Sequence, residues 1–124
     1  MKKTILVVDD ELDVVTYLCM LFEDNGYETL RATNGIEAFE MAKSYRPNLI
    51  TLDMTMPEQS GVRTLRDLKS DPDLARIPVI IVTGIGESMN SFIQKIPRFP
   101  RPEGFIAKPI QQEPLLGMVA HLLE

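Results

Sequence analysis

Short apolar runs of strand length recur along the chain, and a polar or charged residue follows each of them. The runs cover residues 5–8, 49–52, 79–82 and 104–107. The residues that follow them are Asp9, Asp10, Asp53, Thr83 and Lys108. Continuous branched aliphatic runs are typical of strands that are buried on both faces, as in a parallel sheet covered by helices. Because ligands bind outside the carboxyl ends of such strands, we expect these five residues to share one rim.

The segments between the runs read as helices, with one further strand over residues 27–32. Residues 12–25, 36–45, 62–70 and 111–123 are predicted to be helical, and residues 87–96 are predicted to form a short helix before Pro97. Apolar residues recur at helical spacing in the first and last of these segments. Strands that alternate with helices predict an α/β domain with a parallel sheet and helices on both faces.

Composition is that of a single domain over residues 1–124. Hydrophobic residues make up 44% and charged residues 25% of the chain, which is ordinary for a globular protein. The net charge of −5 disfavours a nucleic-acid-binding surface. The one cysteine, Cys19, cannot form an internal disulfide, which fits a reducing cytoplasm. We expect no association with a membrane, because no stretch approaches the roughly 20 apolar residues that span a bilayer.

The residue types at the predicted rim suit a divalent cation and a phosphoryl group. The carboxylates of Asp9, Asp10 and Asp53 would repel one another, so we expect at least one raised pKa and a cation such as Mg²⁺ as their neutraliser. A carboxylate can also act as a nucleophile and form an aspartyl phosphate. Phosphoryl transfer spreads charge over three oxygens, which the metal, Lys108 and the Thr83 hydroxyl can each contact.

With these motifs in this order, the chain resembles the receiver domain of two-component response regulators over essentially its whole length. The matching motifs are the acidic pair Asp9-Asp10, the run Leu52-Asp53-Met54-Thr55-Met56-Pro57 with Gly61 after it, Thr83-Gly84 and Lys108-Pro109. The resemblance implies a flavodoxin-like sheet of five parallel strands in the order 2-1-3-4-5. It also implies Mg²⁺-dependent transfer of a phosphoryl group to Asp53 from a sensor histidine kinase or phosphotransfer protein. Slow self-catalysed hydrolysis would follow, without turnover of an external substrate.

The same resemblance implies a role for each site residue. Asp10 resembles a direct magnesium ligand and Asp9 one that acts partly through water, while Asp53 and the Thr55 backbone carbonyl complete the protein ligands. Lys108 and Thr83 take the catalytic positions. Thr83 and Phe105 take the positions of the switch residues, which would control a downstream protein or output domain. The resemblance leaves open whether the domain forms a homodimer. Thr55 and Ile85 stand where other members often carry Asn, Glu, Lys or Arg, which leaves the lifetime of the phosphorylated state open.

Three other classes of protein are weighed against this interpretation. A haloacid-dehalogenase-type phosphatase needs a second aspartate two residues after its nucleophile, where this chain has Thr55. A flavodoxin needs a hydroxyl- and glycine-rich phosphate loop after the first strand, where this chain has Asp9-Asp10-Glu11. A pseudo-receiver binds partners without phosphorylation and usually lacks a key residue, but no key residue is missing here.

The segment over residues 97–102 departs most from the family. Three prolines alternate there with Arg98, Phe99 and Arg101, and they favour extended backbone. One interpretation is a surface insertion without a role. The other is a remodelled output face, in which Phe99 and the two arginines contact an acidic partner.

Overall fold

Strands and helices alternate along the chain as the sequence predicts. The computed structural model describes residues 2–54, 60–84, 91, 94, 95, 97 and 100–124. Its elements are β1 Thr4–Val8, α1 Leu12–Asp24, β2 Glu28–Ala32, α2 Gly35–Tyr45, β3 Leu49–Leu52, α3 Gly61–Ser70, β4 Val79–Thr83, β5 Gly104–Ala107 and α4 Gln112–Leu123. The ends of these elements differ from the predicted ends by at most one residue. The predicted helix over residues 87–96 and the segment 97–102 lie partly outside the described residues, and Arg98 and Phe99 are among those not described.

The five strands form one parallel sheet in the order β2-β1-β3-β4-β5. This order confirms the flavodoxin-like fold that the resemblance implies. From β1 the chain first winds outward to β2 and then crosses to β3 on the other side of β1. The winding therefore reverses between β1 and β3, and a crevice opens at the carboxyl ends of these two strands.

Alternate residues of the central strands point into two separate apolar cores. Leu6 and Val8 of β1 pack in the core beneath α2 and α3, whereas Ile5 and Val7 pack in the core beneath α1 and α4. Because both faces of the sheet are covered, the central strands β1, β3 and β4 appear in the sequence as mostly apolar runs, unlike the edge strand β2. No helix in the described part of the chain is long and apolar enough to cross a membrane.

Local hydrogen bonds fix where two of the helices begin. The Asn34 side chain accepts from the Glu37 N–H at 2.8 Å, and the Glu37 carboxylate accepts from the Thr33 N–H at 3.0 Å. This arrangement resembles a capping box, except that the Glu37 side chain satisfies the N–H of Thr33, one residue before the cap, and not that of Asn34 itself. The Ser60 hydroxyl caps α3 by accepting from the Arg63 N–H at 3.3 Å. By contrast, Glu11 precedes α1 without a side-chain capping bond.

An ion pair between a buried lysine and a partly exposed glutamate lies at the amino ends of strands β4 and β5. The Lys69 ammonium lies 2.9 Å from both carboxylate oxygens of Glu103 and donates to the carbonyls of Ala75, at 3.2 Å, and Ile77, at 3.0 Å. The Glu103 carboxylate also accepts from the Val79 N–H at 2.7 Å. The pair therefore ties α3 and the start of β4 to the residue that precedes β5.

Candidate functional site

The first two carboxylates of the site follow neighbouring strands. The Asp53 N–H donates to the Val8 carbonyl at 3.0 Å, so the hydrogen bonding between β1 and β3 continues past the end of β3. The Asp9 N–H donates to the Ala32 carbonyl at 3.2 Å, so the hydrogen bonding between β1 and β2 also continues past the end of the strands. Asp9 thus lies at the end of β1, which is between β2 and β3 in the sheet. The crevice predicted by the strand order is therefore lined by acidic residues.

Asp9, Asp10 and Asp53 form a compact group, as the sequence predicts. Each offers a carboxylate oxygen, and these oxygens all lie within 4.8 Å of one another. Asp9 and Asp53 are each only 1% exposed, whereas Asp10 is exposed. Two buried carboxylates with a third at the surface form a site that is open to solvent on one side.

Lys108 reaches this group from the far end of the chain. Its backbone N–H donates to the Thr83 carbonyl at 3.0 Å, which fixes Lys108 at the same rim. Its ammonium lies 2.9 Å from Asp9 Oδ2, 3.3 Å from Glu11 Oε1 and 3.9 Å from Asp53 Oδ2. The structure therefore brings the predicted lysine and the predicted carboxylates together.

For both Lys108 and Asp9, burial disfavours the charged form and the ion pair between them favours it. Burial is the largest influence on Asp9, and together with the charge of Asp53 it raises the pKa of this carboxyl despite hydrogen bonds from Glu11 N–H and Lys108. Burial opposes the charged form of Lys108, but the hydrogen bond to Asp9 and the charge of Asp53 outweigh it and raise the pKa of the ammonium. The expectation of a raised carboxyl pKa is confirmed for Asp9, with burial as a larger cause than repulsion.

Thr83 lies at the end of β4 with its side chain fully buried. Its hydroxyl has no hydrogen-bond partner among the described residues. An unpaired buried hydroxyl is unfavourable by about 1–3 kcal/mol, so it is suited to a ligand that accepts a hydrogen bond. Thr83 follows Ile81 by two residues and therefore points to the same face of the sheet, the one beneath α2 and α3.

Phe105 lies on that same face in the neighbouring strand. It is paired with Ile81 in the β4–β5 register, is partly buried, and packs against the core beneath α2 and α3. Thr83 is therefore the diagonal neighbour of Phe105 across the two strands. Side chains in this relation lie within reach of each other when one of them is aromatic.

Gly61 lets the first turn of α3 approach the backbone of Asp53 and Met54 closely. A Cβ atom at this position would lie 2.3 Å from the Asp53 carbonyl oxygen and 2.5 Å from Met54 Cα. The Gly61 N–H also donates to the Met54 carbonyl at 3.2 Å. This contact holds the backbone after β3 and, with it, the position of Asp53.

The donor set fits a hard divalent cation. Carboxylate oxygens are the protein ligands that Mg²⁺ prefers, and Mg²⁺ usually keeps several waters, which the exposed side of the group allows. The buried and unfavourably charged Asp9 also favours a cation nearby. The predicted ligand Thr55 and the variable position Ile85 lie outside the described residues.

Glu11 is a site residue that the sequence pattern did not indicate. It follows Asp9 and Asp10 directly, and its carboxylate contacts Lys108 although the two residues are 97 positions apart. Strand periodicity identifies which residues lie at the rim, but it does not state which of several neighbouring carboxylates a lysine contacts. A run of three acidic residues after the first strand was the available signal.

The chain is similar to known proteins over most of its length. The model of the response regulator receiver domain matches residues 5–120. The polar-differentiation response regulator DivK of Brucella anthropi is 39% identical over 110 residues, which cover 89% of this chain and 87% of that protein. The structure of a signal receiver domain of a histidine kinase from Syntrophus aciditrophicus is 35% identical, with a TM-score of 0.81 over 98% of this chain and 89% of that one. Chemotaxis response regulator CheY4 of Vibrio cholerae, at 22% identity, shares the fold with a TM-score of 0.85 over 99% of this chain and 100% of its own.

Proposed function

Because the chain belongs to the response regulator receiver family of two-component systems, we propose that Asp53 is its phosphoacceptor and that residues 1–124 act as one phosphorylation-controlled domain. Members of this family are signalling domains and do not turn over an external substrate. The observation that carries the proposal is the position of Lys108, whose ammonium lies 3.9 Å from Asp53 Oδ2 and 2.9 Å from Asp9 Oδ2. A cation at this distance is suited to a phosphoryl oxygen on Asp53.

In the proposed reaction, an Asp53 carboxylate oxygen attacks the phosphorus of a phosphohistidine on a sensor kinase or phosphotransfer protein. The new O–P bond forms as the P–N bond breaks, and the histidine nitrogen leaves with the electron pair and takes up a proton. Lys108 contacts one phosphoryl oxygen, and the unpaired Thr83 hydroxyl donates to another. Mg²⁺ held by Asp9, Asp10, Asp53 and the Thr55 carbonyl would supply the positive charge that offsets the carboxylates and the phosphoryl group.

We also propose that Thr83 and Phe105 transmit the change. A hydroxyl drawn toward the phosphoryl group leaves space on the face that it shares with Phe105, and the partly buried ring can turn into that space. The phosphoryl group can shift this equilibrium only by its differential affinity for the two arrangements. A downstream protein or output domain would then bind one arrangement better than the other. A cytoplasmic location, which the single cysteine favours, completes the proposal.

Acetyl phosphate with Mg²⁺ tests the phosphoacceptor directly. The wild-type chain should gain one phosphoryl group, measured by intact mass, and Asp53→Asn should gain none. Asp73→Asn is the matched control, because Asp73 is an exposed carboxylate of the α3–β4 connection and should leave the rate unchanged. Chelation of Mg²⁺ should abolish the modification.

Beryllofluoride with Mg²⁺ separates a receiver from a pseudo-receiver, because only a receiver should bind this phosphoryl analogue at Asp53. A rise in the melting temperature of the wild type that is absent in Asp53→Asn is expected. A wild-type chain that neither accepts the phosphoryl group nor responds to beryllofluoride would overturn the proposal. Equal phosphorylation of the wild type and Asp53→Asn would show that another residue accepts the phosphoryl group.

A further inference from the structure

Glu11 occupies a capping position but does not cap. It is the residue before α1, where a side chain commonly accepts a hydrogen bond from the first turn, yet Glu11 makes no such bond. Its carboxylate instead lies 3.3 Å from the Lys108 ammonium, closer than the 3.9 Å that separates this ammonium from Asp53 Oδ2. The exposed carboxylate therefore competes with Asp53 for the same cation.

We propose that Glu11 is a positioning residue that draws Lys108 away from Asp53 and so slows the phosphorylation of Asp53. The inference rests on the proposed function, because it assumes that Lys108 must contact the incoming phosphoryl group. Glu11 would act through Lys108 and need not contact the phosphoryl group itself.

Among the described residues, Lys108 donates to Asp9 and Glu11, and these two carboxylates differ in how readily they can release it. The Asp9 side chain is 2% exposed, and its second oxygen accepts from the Glu11 N–H at 2.9 Å, so Asp9 is held in place. The Glu11 side chain is 64% exposed and can turn into solvent. Glu11 is thus the partner that Lys108 exchanges most easily for a phosphoryl oxygen.

The exposure of Glu11 also limits the size of its effect. Ion pairs between exposed side chains are weak, and they weaken further as salt is added. Glu11 should therefore adjust the rate without blocking the reaction. We expect removal of the contact to accelerate phosphorylation by about two- to fivefold at low ionic strength, the range that a weak exposed pair supports.

The variants Glu11→Gln, Glu11→Asp and Asp13→Asn separate the contact from the charge. Glu11→Gln removes the charge and leaves Lys108 only a neutral amide oxygen, which attracts the ammonium less strongly. Glu11→Asp keeps the charge but shortens the side chain, which then suits the N–H groups of α1 better than the distant ammonium. Asp13→Asn removes a charge from the exposed first turn of the same helix. Among the described residues, Lys108 pairs with Asp9, Glu11 and Asp53 and not with Asp13.

The rate of phosphorylation is measured with Mg²⁺ and acetyl phosphate by quenching and intact mass, because the chain has no tryptophan to report the reaction. Phosphoramidate serves as a second donor with a different charge. Both Glu11 variants should be faster than the wild type with both donors, Asp13→Asn should match the wild type, and added salt should reduce the difference. The melting temperature of each variant verifies that it is folded.

Three outcomes would overturn the inference. Unchanged rates in both Glu11 variants would show that the contact does not restrain Lys108. Acceleration by Glu11→Gln with a wild-type rate for Glu11→Asp would identify a general effect of charge, as would equal acceleration by Asp13→Asn. Failure of the proposed function is distinguishable from all three, because the wild type itself would then remain unmodified.

Discussion

Replacing Lys69 with methionine should be among the most destabilising changes that this fold can undergo far from the site. The Lys69 side chain is 8% exposed, and its ammonium contacts the Glu103 carboxylate at 2.9 Å and the carbonyls of Ala75 and Ile77. Methionine keeps most of the apolar stem but offers no donor. The substitution leaves a carboxylate and two carbonyls without their cation.

The size of the effect follows from the burial of the partners that remain. Breaking a fully buried ion pair costs about 3–5 kcal/mol, because the remaining charge is left without a partner. The Glu103 side chain is 35% exposed and keeps the Val79 N–H as a donor at 2.7 Å, so part of its solvation survives. We therefore expect the free energy of unfolding to fall by about 2–3 kcal/mol, a large share of the 5–15 kcal/mol typical of a domain.

The partner variant sharpens this prediction. Glu103→Gln keeps an oxygen that can accept from the Val79 N–H, but it leaves the Lys69 ammonium, whose side chain is 8% exposed, without a counter-charge and should also lower the free energy of unfolding. In the double variant Lys69→Met/Glu103→Gln no charge is left without its partner. Its loss of stability should therefore be smaller than the sum of the two single losses.

Urea denaturation followed by far-ultraviolet circular dichroism, with Mg²⁺ chelated, measures these differences. Lys43→Met is the matched control, because Lys43 pairs with Asp71 and Asp73 at the surface with a side chain that is 42% exposed. It should change the midpoint far less than Lys69→Met does. If the two lysine variants unfold at the same urea concentration, the reasoning from burial is wrong.

Three further changes test other parts of the fold. Thr51→Val should raise the free energy of unfolding by about 1 kcal/mol in urea denaturation, because the buried Thr51 hydroxyl has no hydrogen-bond partner among the described residues. Gly61→Ala should lower the melting temperature and slow phosphorylation, since its Cβ would meet backbone atoms at 2.3 Å and 2.5 Å. Asp9→Asn should raise the melting temperature at pH 7 in a chelator. The raised pKa of Asp9 means that the folded state holds the proton more tightly, so this group destabilises the fold as pH rises above the ordinary value of 3.8. The advantage of Asp9→Asn should accordingly shrink as the pH is lowered toward 3.8, and a pH-independent difference would contradict the assignment.

Much of the fold could be predicted from the sequence, because burial on both faces leaves a continuous apolar run for each central strand. The residue after each run is then fixed at the rim, which is why the sequence alone indicates Asp9, Asp53 and Lys108. Strand order is different, because the pattern of runs is compatible with several windings. The order 2-1-3-4-5 came from the family resemblance, and the structure confirms it.

Distances between side chains could not be predicted in the same way. Periodicity gives the face and the end of an element, but the choice of Lys108 between Asp9, Glu11 and Asp53 depends on side-chain reach in three dimensions. The larger influence of burial over repulsion on Asp9 also depends on packing density around the site. Thr55, Ile85, Arg98 and Phe99 stay predictions, because they lie outside the described residues.

The contact between Lys108 and Asp9 joins residues that are 99 positions apart. During synthesis, Asp9, Asp10 and Asp53 leave the ribosome well before the lysine, and β5, an edge strand of the sheet, is the last strand to be synthesised. A nascent or prematurely terminated chain that stops short of Lys108 therefore carries the phosphoacceptor without the cation that completes its site. Such a fragment should compete poorly with finished chains for a phosphoryl donor, which phosphorylation of a chain ending at residue 103 would measure.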